Sequence, residues 1–281
     1  MEPVILGAGA ALCWGSAGAM VSRASPHIGA LASVAFVLLA GLVVLLPFLA
    51  LSGAQDVSSE AAVWLALGGI SEVGGLTATY YAFRFGRVGV VGPIASTAGG
   101  LTALISAIAG DPISVVQGVA ALVIIAGVML ASRSNLDDDG AARNERRSVV
   151  VALVGALLVA LGMFATGRAG LTLDTAWAIL PPRLLGIFAL LIALRAGFTF
   201  ARQPVALATA AGLCEVVGFA LFTEGAGISV PTTALLTSLS GIVAASLGFA
   251  LFKDRLGPVQ IVGIGLAAGG VAILTSSTPG S

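Results

Sequence analysis

The chain is a succession of apolar segments, each about long enough to cross a lipid bilayer. Only 9% of its 281 residues are charged, whereas a soluble domain carries about 25%. A bilayer core of about 30 Å needs roughly 20 apolar residues in a helix, so we predict an all-α integral membrane protein with ten transmembrane helices. The ten predicted spans are 3–22, 29–51, 61–83, 88–109, 113–132, 149–168, 176–198, 204–222, 229–251 and 257–276.

One polar segment, residues 133–148, interrupts this pattern and is read as a linker. It divides the chain into a first unit of five spans (residues 1–132) and a second unit of five spans (residues 149–281). Because five is odd, the second unit should enter the membrane from the opposite side. The sequence therefore predicts two inverted five-helix repeats, an arrangement that many secondary transporters use to build a site near the membrane midplane.

Polar residues recur at a fixed distance in the two predicted units. Chance could align the many glycines and alanines of two apolar segments, but it explains aligned glutamate, aspartate and glutamine less readily. The offset of 143 residues relates Glu72 to Glu215, Asp111 to Asp254, Gln117 to Gln260 and Gly127 to Gly270, and an offset of 147 relates Gly15 to Gly162.

Other classes of function lack their usual signals. The net charge is zero, which argues against a nucleic-acid partner. No Gly-x-x-x-x-Gly-Lys-Ser/Thr motif is present, and one histidine in the whole chain rules out a Ser-His-Asp set. Cys13 and Cys214 have neither a CxxC spacing nor a histidine partner. We therefore expect no enzyme, no catalytic residues, no metal site and no cofactor.

Several short motifs carry a resemblance to a known family. They are Cys-Trp-Gly-Ser (13–16), Lys-Asp-Arg-Leu-Gly-Pro-Val-Gln (253–260), the glycine-rich segment 263–271, and the prolines Pro93 and Pro231 early in the fourth span of each unit. Together with the ten spans, they resemble an EamA-type member of the drug/metabolite transporter (DMT) superfamily. The resemblance implies a ten-helix carrier that moves small metabolites, often outward, commonly by exchange or with proton coupling.

The resemblance also sets the expected surroundings and the competing interpretations. We expect a multi-pass protein of a bacterial plasma or inner membrane, with a small-molecule substrate such as an amino acid or organic cation, lipid contacts and, as an open question, a homodimer. The alternatives are a membrane-embedded enzyme acting on a lipid-linked substrate and a non-transporting membrane subunit. The enzyme would need a cluster of polar residues at the membrane interface, which the sequence does not show. The non-transporting subunit would leave the costly carboxyls within the membrane spans unexplained.

Glu72 and Glu215 are the first candidate site residues, since each lies about halfway along its span. A charged group at this depth is costly and usually functional. Desolvation favours the neutral acid over the carboxylate, which suits a residue that exchanges a proton or binds a cationic group. The alternative is a neutral glutamic acid that is hydrogen-bonded across helices.

Arg183, Trp14 and Tyr80 are further candidates for the substrate or proton site. Arg183 follows two prolines at the start of a span, and it matches an arginine that the resemblance leads us to expect there, although its counterpart near Ala35 is absent. Its guanidinium either reaches the lipid headgroups or faces a central cavity, where it could pair with Glu215 or a substrate carboxylate. Trp14 forms a cavity wall or packs between helices, and Tyr80 lines the cavity or anchors the membrane interface.

Hydroxyl residues complete the candidate set. Ser96 and Thr97 follow Pro93, while Thr233 and Thr237 follow Pro231. A proline frees a backbone carbonyl that nearby hydroxyls can satisfy or replace. We expect most of these hydroxyls to bond to their own helix, and the fourth spans to offer polar surface to a cavity bordered by spans 3, 4, 8 and 9.

The charges of the connections predict the orientation. Basic residues in short loops stay in the cytoplasm, and the odd-numbered connections hold eleven basic residues whereas the even-numbered ones hold only Arg168. We therefore expect the odd connections to be cytoplasmic and both termini to lie outside. The eleven residues are Arg23, Arg84, Arg87, Arg133, Arg143, Arg146, Arg147, Arg195, Arg202, Lys253 and Arg255.

Overall fold

Every regular element of the described chain is an α-helix. The computed structural model describes residues 2–86, 88–131, 142–252 and 258–277. Within these residues the helices are α1 (Glu2–Ile28), α2 (Ala30–Ser52), α3 (Ser59–Ala82), α4 (Val88–Ser96), α5 (Ala98–Ile108), α6 (Val115–Ala131), α7 (Ala142–Ala169), α8 (Thr175–Ala178), α9 (Leu180–Arg195), α10 (Arg202–Thr237), α11 (Ser240–Phe252) and α12 (Pro258–Ser277).

Six helical stretches of the described residues are long and apolar enough to cross a membrane. They are α1, α2, α3, most of α7, the stretch from α8 through α9, and α10; shorter apolar helices cover 94–108 and 115–127. The all-α prediction is confirmed in this coarser form, as a multi-pass helical membrane protein. The count of ten spans stays a prediction, because several predicted spans consist of shorter helices.

One predicted span of the first half and two of the second differ from the observed helices. The predicted span 88–109 is divided into α4 and α5 at Thr97. The predicted span 204–222 and the beginning of the span 229–251 lie in α10, where two helical stretches meet at a kink at Ser229, with φ −158° and ψ 102°. The rest of the span 229–251 is α11. Pro231 lacks a backbone N–H and its ring crowds the preceding turn, which accounts for the break at this point.

Helix α7 begins inside the segment that we read as a linker. It starts at Ala142, so the last residues of 133–148 are already helical. Alanine, arginine and glutamate are good helix formers, and they extend the helix beyond its apolar part. The rest of the predicted linker lies outside the described residues, as does Asp254, the predicted repeat partner of Asp111.

The helices pack in pairs through closely approaching glycines. α1 lies along α10, α3 along α7, α6 along α12, and α2 against both α9 and α10. At Gly75 a Cβ atom would come within 2.7 Å of the backbone nitrogen of Val159. Small residues at such contacts let membrane helices approach closely, so these glycines set the spacing of the helices that carry the predicted site.

Helices α2 and α9 run antiparallel. A Cβ atom on Gly186 would lie 2.7 Å from Cβ of Leu38, and one on Gly41 would lie 3.6 Å from Nε of Arg183. The residue numbers rise along α2 while those of the contacted residues fall along α9. These two helices cover the second predicted span of each half.

Candidate functional site

Arg183 lies in the interior and joins the two repeated glutamates. Its Nη1 donates a hydrogen bond to Oε1 of Glu72 at 3.1 Å, and its Nη2 donates to Oε2 of Glu215 at 2.8 Å. Nη1 also donates to the carbonyl of Ile179 at 2.9 Å. The side chain of Arg183 is 0% exposed, and those of Glu72 and Glu215 are 1% and 4% exposed. We call these three residues the central triad.

Three helices bring the triad together. Glu72 stands in the middle of α3, Glu215 in the first part of α10, and Arg183 in the first turn of α9, after two prolines at its start. Prolines suit the first turn of a helix, where their missing N–H has no intrahelical partner. Of its two predicted positions, Arg183 takes the interior one, because its side chain has no exposed surface and donates to both carboxyls.

Glycines allow the backbones around the triad to approach. A Cβ atom on Gly162 of α7 would lie 3.0 Å from the backbone nitrogen of Glu72, and one on Gly69 would lie 2.9 Å from Cβ of Pro181. The first contact brings α7 against α3 at the level of Glu72. The second lets α3 meet the beginning of α9, so Glu72 is held within reach of Arg183.

The charges of the central triad do not balance when all three groups are ionised. Two carboxylates and one guanidinium sum to −1, and an unmatched charge in an apolar interior is costly. Glu72 Oε2, Glu215 Oε1 and Arg183 Nε are buried and have no hydrogen-bond partner among the described residues. The arrangement can therefore accept one proton, or one cationic group of a ligand, and become neutral.

Aromatic side chains cover one side of the triad. The Arg183 guanidinium carbon lies 4.9 Å from the centre of the Phe219 ring, a cation–π contact. Trp14 packs edge-on against the same ring at 4.8 Å, and its Nε1 donates to the backbone carbonyl of Glu215 at 3.3 Å. Trp14 thus forms a wall of the site and holds the backbone of the residue that pairs with Arg183.

Tyr80 is buried and lies two turns beyond Glu72 on α3. Its carbonyl accepts a hydrogen bond from Oγ of Ser25 at 2.8 Å, which ties α3 to α1. Its side chain packs in a cluster of buried apolar residues that includes Val34, Leu38 and Phe83.

Most of the predicted hydroxyls bond within their own helix. Ser96 donates to the carbonyl of Gly92 at 2.8 Å, Thr97 to that of Ile94 at 2.7 Å, and Thr237 to that of Ala234 at 2.7 Å. Thr233 differs, because its buried Oγ1 has no partner among the described residues. The structure therefore groups Trp14 with the triad and leaves three of the four hydroxyls occupied by local backbone bonds.

A second charged group, near one end of the helices, was not anticipated. Arg168 Nη2 lies 2.9 Å from Oδ1 of Asp111, and its guanidinium carbon lies 5.0 Å from the centre of the Phe164 ring. Ser106 donates from its Oγ to Asp111. Two sequence signals pointed to these residues, namely the aspartate that recurs at 111 and 254 and an arginine at the end of a span. They did not predict the pair, because residues 111 and 168 are far apart in sequence.

Residues 1–133 match the model of the EamA-like transporter family. The first half of the chain is EamA-like. The match confirms the predicted resemblance over this half, and the family suggests a membrane transporter of the DMT type. It falls on the half that supplies Trp14, Glu72 and Tyr80, while Arg183 and Glu215 come from the other half.

The whole chain shares its fold with a solved structure. One crystal structure of a protein is similar over 98% of this chain and 96% of its own length, with a TM-score of 0.78 and 18% sequence identity. At this identity the similarity shows the fold alone. None of the curated proteins matches the sequence.

Proposed function

We propose that this EamA-like protein is a secondary-active carrier that exports or exchanges small metabolites across a bacterial plasma membrane. The observation that carries the proposal is the central triad, two buried carboxyls that share one buried guanidinium. A structural ion pair needs one acid for one base. The additional acid, repeated at the same position of the other half, is the residue that a coupled carrier requires.

The net charge of the central triad accounts for the proposed coupling between proton movement and substrate movement. With one carboxyl protonated the triad is neutral, and the buried charges balance. When that proton leaves, the net negative charge favours a cationic group in its place, such as the ammonium of an amino acid or organic cation. A proton and a cationic substrate then exclude each other at the triad, and their alternation exchanges one for the other across the membrane.

Alternating access follows from the predicted repeat. A twofold axis that relates two equivalent helices and lies in the membrane plane makes those helices antiparallel, whereas an axis along the membrane normal makes them parallel. α2 and α9, the second spans of the two halves, pack antiparallel at Gly41 and Gly186. This packing supports inverted repeats, which present a midplane site first to one side and then to the other.

Proton flux tests the proposal directly. The purified protein in liposomes that contain a pH-sensitive dye should move protons when amino acids or choline are added outside, and Glu72→Gln or Glu215→Gln should abolish the coupling. Glutamine resembles the neutral acid, so each single variant keeps one carboxylate for Arg183 and should remain folded. Asp56→Asn, a change of an exposed loop acid, is the control.

Two results would count against the coupling role. One is a proton flux with unchanged pH dependence in both glutamine variants. The other is a flux that falls equally in Asp56→Asn, which would indicate a general effect of surface charge on the reconstituted protein.

The orientation requires a separate measurement. We propose that the odd connections are cytoplasmic, so both termini lie outside. In a variant with Cys13 and Cys214 replaced, a cysteine introduced by Asn144→Cys should be shielded from an impermeant maleimide in intact cells, while one introduced by Ser281→Cys should react. The reverse labelling would invert the orientation without changing the repeat.

A further inference from the structure

A cavity of about 320 Å³ lies at the end of the helices where the even-numbered connections gather. Its wall is formed by the first turns of α3, with Glu60 and Trp64, and by the last turns of α7, with Phe164 and Arg168. Its volume is at the lower end of the range of ligand-binding pockets. We call this cavity the vestibule.

The vestibule is separate from the central triad. Trp64 and Glu72 are eight residues apart on α3, which at 1.5 Å per residue places them about 12 Å apart along the helix. Between them, Gly68 packs against Thr166 and Gly69 against Pro181, with distances of 3.1 and 2.9 Å from a Cβ atom to the nearest side-chain atom. These two close contacts lie between the vestibule and the central triad along α3.

The charge of the vestibule that is not already paired within the protein is negative. Arg168 is already engaged by Asp111 at 2.9 Å and by the ring of Phe164 at 5.0 Å. Glu60 is exposed, and its contact with Nε1 of Trp64 is long, at 3.5 Å. An anion in the cavity would have to compete with Asp111 for Arg168. A cation would meet the carboxylate of Glu60, which makes few contacts with the protein.

The surroundings strengthen this preference. Bonds between the connections gather several acids at this end, since the backbone N–H of Asp174 donates to Oε1 of Gln55 at 3.0 Å and Thr175 donates to Glu224. A rim of one charge sign raises the local concentration of ions of the opposite sign. The described acids of these connections and the adjoining helix ends are Asp56, Glu60, Asp111, Asp174 and Glu224.

Two aromatic rings provide the remaining surface. Trp64 and Phe164 stand at 89° to each other with ring centres 5.8 Å apart. The face of tryptophan attracts an organic cation more strongly than that of the other aromatic residues. We propose that the vestibule binds a small organic ammonium ion, with the cationic head between Glu60 and the indole of Trp64 and the apolar part against Phe164.

Tryptophan fluorescence can measure this binding. The chain has three tryptophans, so Trp14→Phe/Trp177→Phe leaves Trp64 as the single reporter. N-methylpyridinium, a cationic quencher, should quench its fluorescence in a saturable way, and choline should compete. Glu60→Gln should weaken the affinities for N-methylpyridinium and choline by about tenfold, which corresponds to a loss of about 1.4 kcal/mol. Asp56→Asn removes a matched acid outside the cavity wall and should change both affinities less than twofold.

Three outcomes would overturn the proposal. They are quenching that rises linearly without saturation, equal effects of Glu60→Gln and Asp56→Asn, and stronger competition by benzoate than by choline, which would assign the cavity to anions through Arg168. If the double tryptophan variant does not fold, choline should still raise the Tm of Glu72→Gln, whose central triad is already neutral, and should fail to do so when Glu60→Gln is added. Glu72→Gln should keep the vestibule affinity, so a failure of the coupling role would leave this result intact.

Discussion

Arg183 and Arg168 make nearly the same contacts in two different surroundings. Each guanidinium pairs with a carboxylate, at 2.8 Å for Glu215 and 2.9 Å for Asp111, and each covers a phenylalanine ring at 4.9 or 5.0 Å. Yet Arg183 has no exposed surface, whereas the Arg168 side chain is 22% exposed. The two arginines differ in access to water and in the second carboxylate, Glu72, that only Arg183 contacts, and we expect these two differences to separate their effects.

The energetic consequences of the two pairs should therefore differ. Removing one partner of a buried pair costs about 3–5 kcal/mol because the other charge stays buried. A partly exposed pair contributes about 0–1 kcal/mol, since water replaces the lost partner. Two changes test this contrast and a third tests the packing that holds Glu72 in place; they follow in order of expected effect.

Removing the central cation should have the largest effect. In Arg183→Met two buried carboxyls face each other without a counter-charge, and we expect a loss of about 3–5 kcal/mol at neutral pH. The Tm in detergent, followed by size-exclusion fluorescence, should fall steeply. Acidic buffer should recover part of the loss, because protonation removes the unmatched charges.

A neutral triad provides the control for this variant. Arg183→Met/Glu72→Gln/Glu215→Gln removes all three charges and should regain most of the Tm, although it should not couple proton flux. If the triple variant is as unstable as Arg183→Met, the loss comes from the packing of the guanidinium against Phe219 and not from charge.

An added methyl group at the α3–α7 contact should have an intermediate effect. In Gly75→Ala the new Cβ would lie 2.7 Å from the backbone nitrogen of Val159, and overpacking of this kind costs about 1–3 kcal/mol. Since α3 carries Glu72, proton coupling should weaken along with the Tm. Gly74→Ala is the matched control, because its Cβ would lie at an ordinary 3.4 Å from Leu158 Cδ1; equal effects of the two changes would show that the close contact relaxes easily.

Breaking the outer pair should have the smallest effect. Asp111→Asn leaves Arg168 in contact with water, so the Tm should change by the equivalent of less than about 1 kcal/mol. The difference in Tm should be smaller at 500 mM than at 50 mM salt, since salt screens a partly exposed pair. A loss that approaches that of Arg183→Met would mean that the outer pair is as essential to folding as the central one.

The sequence predicted the helical class from hydropathy and the two glutamates from their positions within apolar spans. Both signals can be read without knowledge of any tertiary contact. It also held the information that one arginine and two carboxyls lay in apolar spans, and such charges usually pair. It did not decide where Arg183 pointed, since the prolines at the start of α9 suit a headgroup position equally well.

The remaining features depend on contacts between distant residues. The closing of α3 on α7 at Gly75, the pairing of Arg168 with Asp111 and the vestibule between them arise from tertiary packing. The kink inside α10 at Ser229 is an exception, because it follows from the nearby Pro231.

The central triad contains two equivalent acids but only one base. Ala35, near the position of the first half that corresponds to Arg183, is fully buried and neutral, so the guanidinium belongs to the second half alone. In a carrier with two identical halves, the inward-facing and outward-facing states would have equal energy. In the carrier proposed above, these two states should differ in energy because only one half supplies the arginine. The empty carrier should then have a preferred resting side, and reversing the membrane potential or the substrate gradient should not give mirror-image rates.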